Sequence, residues 1–322
     1  MLNGNDKNTK LMFSIVIPYY NKANYIQRCI HSILNQSFTE YEIIIVNDGA
    51  TDDGLTFLSK IKSEKIIVIS QDNQGVSEAR NTGIKKAKNQ FIAFLDADDC
   101  WHTNYLETVK QLIDKENNVK IIGSNYSRNS NFLSINSNEI DYFKFEDYFK
   151  VAIKNTYFTS SSTIIESSFF KQNKGFNSML KSGEDSDVWF RAVASGGNAF
   201  YIKNTLVYYS DEDENQTTKT KHNLKDTLVG NINNLYEDAL ITRNSKSFDN
   251  FVSLYVYFNL YPYYFDKQYN NAAKIVLKQN KFYFFWLDLV YLLPTSIGIK
   301  ALKTNKNIIR LYLKFIIRYI YT

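Results

Sequence analysis

Residues 91–99 read FIAFLDADD, five apolar residues in a row followed by three carboxylates within four positions. An apolar run of that length without alternation suits a strand buried on both faces of a parallel sheet, and its acidic end marks where the chain leaves the core. Working outward, residues 13–17 (FSIVI), 41–46 (YEIIIV) and 66–69 (IIVI) are runs of the same kind. Between the first two, Ile26, Cys29, Ile30, Ile33 and Leu34 recur at helical spacing, with Asn24 as the expected N-cap. Residues 76–88 predict a further helix. The resulting β-α-β-α-β-α-β series predicts an α/β fold, an open, mostly parallel sheet flanked by helices. Every strand ends in polar residues: Pro18-Tyr19-Tyr20-Asn21, Asn47-Asp48-Gly49, Gln71-Asp72-Asn73 and Asp96-Ala97-Asp98-Asp99. Ligands of open α/β sheets bind outside the carboxyl ends of the strands, so these four ends define one expected crevice.

The remaining sequence bounds what that crevice belongs to. A chain of 322 residues is long enough for about two domains. The catalytic-type α/β domain is expected over 13–215 and a helical, aromatic-rich region over 216–322, with residues 1–12 a flexible terminus. Net charge is +5, but residues 251–322 hold ten Lys and Arg against Asp266 and Asp288, a net of +8 that leaves −3 for the rest. The same stretch carries 19 of the 50 aromatic residues. Residues 1–12 lack the apolar segment of a secretory signal, which gives a cytoplasmic expectation. Two cysteines, Cys29 and Cys100, make neither a zinc site by themselves nor a disulfide framework, and are expected as reduced thiols. Residues 282–293 (FYFFWLDLVYLL) form a run of 12 interrupted by Asp288, shorter than the roughly 20 apolar residues a spanning helix needs. No Gly-x-Gly-x-x-Gly follows the first strand and no Gly-x-x-x-x-Gly-Lys-Ser/Thr occurs, which argues against a dinucleotide fold and a P-loop.

Asp96 and Asp98, one residue apart at a strand end, are the residue types that share a hard divalent cation whose shell is completed by substrate phosphates. A solvated acidic turn is the plainer reading of such a pair. Further along, the pattern predicts a helix over 104–115, a strand over 119–125, a polar Ser/Asn-rich stretch over 127–138 and a strand over 162–165. Gly183-Glu184-Asp185 opens a helix to about residue 194, with Val188, Trp189, Ala192 and Val193 on one face.

Taken in order, residues 14–21 (SIVIPYYN), 45–52 (IVNDGATD), 73–83 (NQGVSEARNTG) and 94–99 (FLDADD) resemble the family 2 glycosyltransferases of the GT-A fold. Gly183-Glu184-Asp185 with Asp187, Trp189 and Arg191 is similar to that family's acceptor-side segment. The resemblance covers residues 13 to about 210. It implies an inverting transfer of a sugar from a nucleotide-diphosphate sugar, a UDP-sugar foremost, to a hydroxyl of a glycan or lipid-linked acceptor in cell-surface polysaccharide synthesis. By the same resemblance Pro18, Tyr20 and Asp48 match the nucleotide pocket, Arg80 and Asn81 the segment approaching the donor, Asp96 the carboxylate near ribose and metal, and Asp98 the principal ligand of Mn2+ or Mg2+. Asp185 matches the catalytic base, Glu184 and Trp189 the acceptor side, with Glu184 also placed to pair with Arg191. Asp99 is expected to orient the turn or cap the next helix. Plainer readings stand beside these: Tyr20 as core packing, Asp48 as a turn residue, Arg80 as an exposed helix charge, and residues 183–185 as an acid-rich helix start.

One departure stands out. Many relatives carry a His after the last strand, whereas residues 208–214 (YYSDEDE) have none. His222 lies further on, and His31 and His102 read as structural or solvated, so a third protein ligand is left open. Other function classes remain in view: a non-catalytic sugar-nucleotide or glycan-binding module, and a sugar nucleotidyltransferase, although the Gly-rich basic loop usual in the latter is missing. At the other end, residues 307–322 (NIIRLYLKFIIRYIYT) put Arg310, Lys314 and Arg318 in one stripe of an otherwise apolar helix. Such a helix suits a membrane interface or packing on the protein's own core. A membrane surface is therefore a second expected partner, peripheral on the inner face; nucleic acid is not expected.

Overall fold

The structure, a computed structural model, describes residues 13–129, 131, 139–212, 220–236, 246–305 and 307–321. The terminus 1–12, most of the Ser/Asn-rich stretch, and residues 213–219 of the expected domain boundary lie outside the described residues. Two compact units emerge: residues 1–145, 157–178 and 185–216 make the first, and residues 146–156, 179–184 and 217–322 the second.

The first unit is built on nine strands: β1 (Phe13–Tyr19), β2 (Tyr41–Asp48), β3 (Ile66–Gln71), β4 (Phe91–Phe94), β5 (Cys100–Trp101), β6 (Val119–Ser127), β7 (Tyr142–Lys144), β8 (Thr163–Glu166) and β9 (Asn198–Tyr208). Their order is β3-β2-β1-β4-β8-β6-β9-β5, with β7 pairing β9. β1, β2, β3 and β4 are mutually parallel, in registers such as Phe13 opposite Tyr41 and Phe91. β8 is antiparallel to both β4 and β6, while β6 and β9 run parallel. Reversing direction twice brings β6 and β9 back parallel to β4. The carboxyl ends of six strands therefore share one edge.

Strand burial follows the apolar runs in β1, β2 and β4 but not in β3, which lies at the sheet edge with no buried residue and leaves Val68 43% exposed. Ile15, Val16 and Ile17 of β1, residues 43–46 of β2 and the whole of β4 are buried, as central strands covered on both faces must be. Helices α1 (Ala23–Leu34), α2 (Gly54–Lys60), α3 (Val76–Lys86) and α4 (Tyr105–Lys115) connect the strands of this half. α1 buries Ile26, Cys29, Ile30 and Ile33, the expected stripe. Its start differs from expectation: the helix begins at Ala23, so Asn24 lies inside the first turn rather than capping it. The cap comes from elsewhere, since Ala23 N–H donates to Asp52 Oδ2 at 2.7 Å. α3 lies so close to β1 that a Cβ on Gly83 would sit 2.3 Å from Val16 Cγ1. Only glycine admits that approach.

Further helices are α5 (Tyr148–Val151), α6 (Ser168–Gln172), α7 (Glu184–Ala194), α8 (Leu228–Leu235), α9 (Lys246–Tyr264), α10 (Asn270–Lys278), α11 (Phe285–Tyr291), α12 (Thr295–Thr304) and α13 (Ile308–Tyr319). Within the second unit, α9, α11 and α13 contribute Leu254, Tyr257, Tyr261, Leu287, Leu313 and Ile316 to one core. Two of the tyrosines there have their hydroxyls paired within the unit. Tyr257 donates to Asp288 at 2.8 Å and Tyr291 donates to the Tyr257 carbonyl at 2.6 Å. Gly298 of α12 lies against the Phe265 ring.

Candidate active site

At the end of β1 the chain turns sharply, with Asn21 at φ 50°. Tyr19 points into the core and donates its hydroxyl to Asp52, which holds the β1–α1 turn to the β2–α2 turn. Tyr20 faces the other way and is 47% exposed, so core packing does not explain it. Pro18 is half-buried within β1.

Asp48, at the end of β2, is 3% exposed and hydrogen-bonded within the chain. It accepts from Gln71 Nε2 at 2.8 Å, from Gln74 N–H at 2.9 Å and from Gly75 N–H at 2.8 Å. Its carboxylate thus grips the loop between β3 and α3, and Gly75 at φ 89° gives the turn that presents those N–H groups. Three of the roughly four acceptor sites of Asp48 are thus taken within the chain.

From that loop α3 delivers Arg80, which is 3% exposed and no surface charge. Its guanidinium donates to Asp96 Oδ1 at 2.8 Å and lies 5.1 Å from the centre of the Phe176 ring. Asn81, next in sequence, does not turn toward the acids. Its amide donates to the Phe176 carbonyl at 2.9 Å and accepts from Phe176 N–H at 2.7 Å, so it clamps residues 175–176 onto α3.

The three carboxylates after β4 have different partners. Asp96 is half-buried and paired with Arg80. Asp98 is buried and receives Lys22 Nζ at 2.6 Å. Asp99 accepts from the Ser161 hydroxyl and, at 2.8 Å, from Ser210 N–H. It therefore orients the turn by tying it to the segments before β8 and after β9, and it caps no helix. Burial, with the neighbouring acids adding to it, raises Asp99 far above the usual carboxylate range. Asp98 is raised by burial and by Asp96, against the opposing pull of Lys22. Around them Arg28 donates to the Asp98 carbonyl at 3.1 Å and to Glu212 at 3.2 Å, and stands 5.1 Å from the Tyr208 ring centre.

Asp185 sits in the first turn of α7, half-buried, accepting from Ser186 N–H at 2.6 Å. Burial raises it, while the Arg80 charge pulls it down and the Asp96 charge pushes it up. Arg80, Asp96 and Asp185 thus share one electrostatic field, although 105 residues separate Arg80 from Asp185. Glu184 opens the same helix. Two acceptor-side expectations are corrected. Arg191 pairs with Asp187 at 2.7 Å and donates to the Lys174 and Gly175 carbonyls, rather than pairing with Glu184. Trp189 is 1% exposed and packs on Phe94 and Phe176, so it is a core residue that no acceptor reaches without repacking.

The donor set bears on a metal. Among the described residues no group of three or more His, Cys, Asp or Glu is arranged to hold an ion. Asp98 and Asp96 nonetheless supply two hard oxygen donors at one turn, each already facing a cation, Lys22 or Arg80. That fits Mg2+ or Mn2+, which keep several waters and take few protein carboxylates alongside substrate phosphates. Cys100 is buried, which pushes its thiol up to about 12, and a soft thiolate suits Mg2+ or Mn2+ poorly. His102 is buried, accepting from Asn104 N–H at 3.1 Å, and His31 is exposed against Phe57. His222 belongs to the second unit. Sequence reasoning missed Lys22, Arg28 and Ser161. The only signal for the first two was a cation just after the first strand and another on the first helix.

Comparison with known proteins places this geometry in a class. The model of the glycosyl transferase family 2 matches residues 14–173. An uncharacterized glycosyltransferase of Rickettsia typhi, RT0329, is 30% identical over 217 residues, 66% of this chain and 67% of that protein. The chain belongs to the family 2 glycosyltransferases. It is also 27% identical over 187 residues to the chondroitin synthase of Pasteurella multocida, of which it spans 19%. It spans 25% of an uncharacterized glycosyltransferase of Rickettsia bellii, 33% identical over 181 residues. In fold it is similar to S. aureus TarS, residues 1–349, solved in complex with UDP-GlcNAc: TM-score 0.70, 17% identity, 96% of this chain and 92% of that one. The fold is therefore GT-A.

Proposed function

We propose that this glycosyltransferase moves a sugar, with inversion, from a nucleotide-diphosphate sugar, a UDP-sugar in the first instance, to a hydroxyl of a glycan or lipid-linked glycan. The product belongs to a surface polysaccharide made at the inner face of the cell membrane. The observation that carries the reading is the buried Arg80 held between Asp96 and the field of Asp185, beside the Asp98 turn. Inverting transfer needs a single carboxylate base. Asp185, raised by burial, takes the acceptor proton as the acceptor oxygen attacks the anomeric carbon opposite the nucleotide diphosphate. Arg80 and Lys22 offset the diphosphate charge, and Tyr20 offers an exposed ring to the base. Asp98 and Asp96 would hold a divalent cation, which would supply Lewis-acid stabilisation of the leaving group. The kinship to a chondroitin synthase supports a polysaccharide product, and the fold shared with TarS supports a UDP-sugar.

Thermal-shift screening of nucleotide sugars, with and without Mn2+, tests the donor. A ligand that binds only the folded chain raises its melting temperature by mass action. One UDP-sugar should stabilise the protein more with Mn2+ than without; stabilisation by no nucleotide sugar would overturn the reading.

A further inference from the structure

α11 carries a single charge, Asp288, and the structure turns it inward. Its carboxylate accepts from Tyr257 within the core of the second unit. The outward side of that helix is left wholly apolar. Phe285, Trp286, Leu289 and Leu292 are all exposed, Leu292 by 73%. They recur at i, i+3/i+4 and i+7, and so lie on one face. α11 and α12 together reach the length and apolar composition of a membrane span, but they are bent by 89° between the two helices, and no single helix among the described residues is long and apolar enough to cross.

α13 presents three stripes rather than two. Ile309, Leu313, Ile316 and Ile317 are buried, which settles that the helix packs on its own unit. Leu311, Phe315 and Tyr319 form a second row, 61%, 55% and 68% exposed. Arg310, Lys314 and Arg318 form a third, also exposed, directly beside that apolar row. α11 and α13 are joined: Trp286 N–H donates to the Tyr321 hydroxyl at 3.0 Å, and Tyr312 donates to the Trp286 carbonyl at 3.0 Å. The surrounding chain is one-signed, because residues 289–322 contain six Lys and Arg and no Asp or Glu.

Water-facing helices rarely keep rows of large apolar side chains, and contiguous patches of this kind mark an interface. A protein partner would need matching acids and a shaped apolar groove. An anionic bilayer offers both chemistries at once: acyl chains for Leu, Phe and Trp, and headgroup phosphates within reach of snorkelling Arg and Lys. We infer that the outer face of α11 and α13 lies in the surface of a membrane containing anionic phospholipid, with the apolar rows inserted and the basic row at the headgroups. This rests on the proposed membrane-borne acceptor and names the surface that meets the membrane.

The test uses the full chain with phosphatidylcholine vesicles, with and without phosphatidylglycerol, in co-sedimentation. Wild type should bind the anionic vesicles at least tenfold more tightly than the neutral ones. Leu311→Asn with Phe315→Ser should weaken binding by about a hundredfold, at roughly tenfold for each large apolar side chain withdrawn from lipid. Arg310→Gln with Lys314→Gln and Arg318→Gln should abolish the preference for phosphatidylglycerol. Equal binding to both vesicle types by wild type, or unchanged binding by the apolar pair, overturns the inference. So does a dimer in solution that the same substitutions break while vesicles remain unbound, since the face then belongs to a second copy. The UDP-sugar thermal shift is measured on the same samples: its loss in wild type fails the transferase reading alone, and its survival without vesicle binding fails the membrane inference alone.

Discussion

The sheet edge of the first unit and the outer helices of the second break the ordinary rule of burial in opposite directions. At the edge, charges are inside: Arg80, Asp98 and Asp99 are all buried, each with named partners. On the outer faces of α11 and α13, large apolar side chains are outside. Burying a charge is costly unless it is paired and hydrogen-bonded, and exposing a row of Leu and Phe forfeits hydrophobic stabilisation. Neither departure contributes to stability by itself. From their difference we propose a charged small ligand for the edge and an apolar surface for the helices.

Substitutions sharpen that contrast. The largest effect after loss of the base is expected from Asp98→Asn, which keeps the shape but removes the charge facing Lys22; steady-state transfer should fall by about 10²- to 10³-fold. Arg80→Gln removes a charge-assisted hydrogen bond to Asp96 and should weaken UDP-sugar binding by about ten- to a hundredfold, read by titration calorimetry. The same variant sharpens the pH dependence. Burial raises Asp185, so transfer in the wild type should rise with pH through a midpoint above the usual carboxylate range. Because the Arg80 charge holds that midpoint down, Arg80→Gln should move it further up. Asp99→Ala should instead cost fold stability, by about 3 kcal/mol, because it orphans the Ser161 hydroxyl and the Ser210 N–H. Denaturant melts check that. The smallest effect should come from Leu311→Asn with Phe315→Ser, which should change transfer to a soluble acceptor by less than about twofold, since exposed substitutions are usually near neutral.

Much of the first unit was legible because strand burial is written locally. The runs FSIVI, YEIIIV and FIAFL leave little alternative to central parallel strands, and their polar ends mark the crevice. Partner choice was not legible. Nothing near Asn81 announces that it binds the backbone at Phe176, and nothing near Trp189 announces Phe94 as its neighbour, because both contacts join segments about 95 residues apart. Asn24 failed as a cap for the same reason: the carboxylate of Asp52 reached the helix start from another turn. In the second unit, the sequence left α13 evenly divided between core and interface. Only the positions of its side chains separate the buried stripe from the exposed apolar row.

Asp185 is the central claim, and a single-turnover transfer from the stabilising UDP-sugar, followed by NMR of the product's anomeric centre, tests it most directly. The account predicts that wild type inverts the anomeric configuration. It also predicts that Asp185→Asn binds the donor normally while transferring at least about a hundredfold more slowly. A product of retained configuration, or an Asp185→Asn rate equal to wild type, would contradict it.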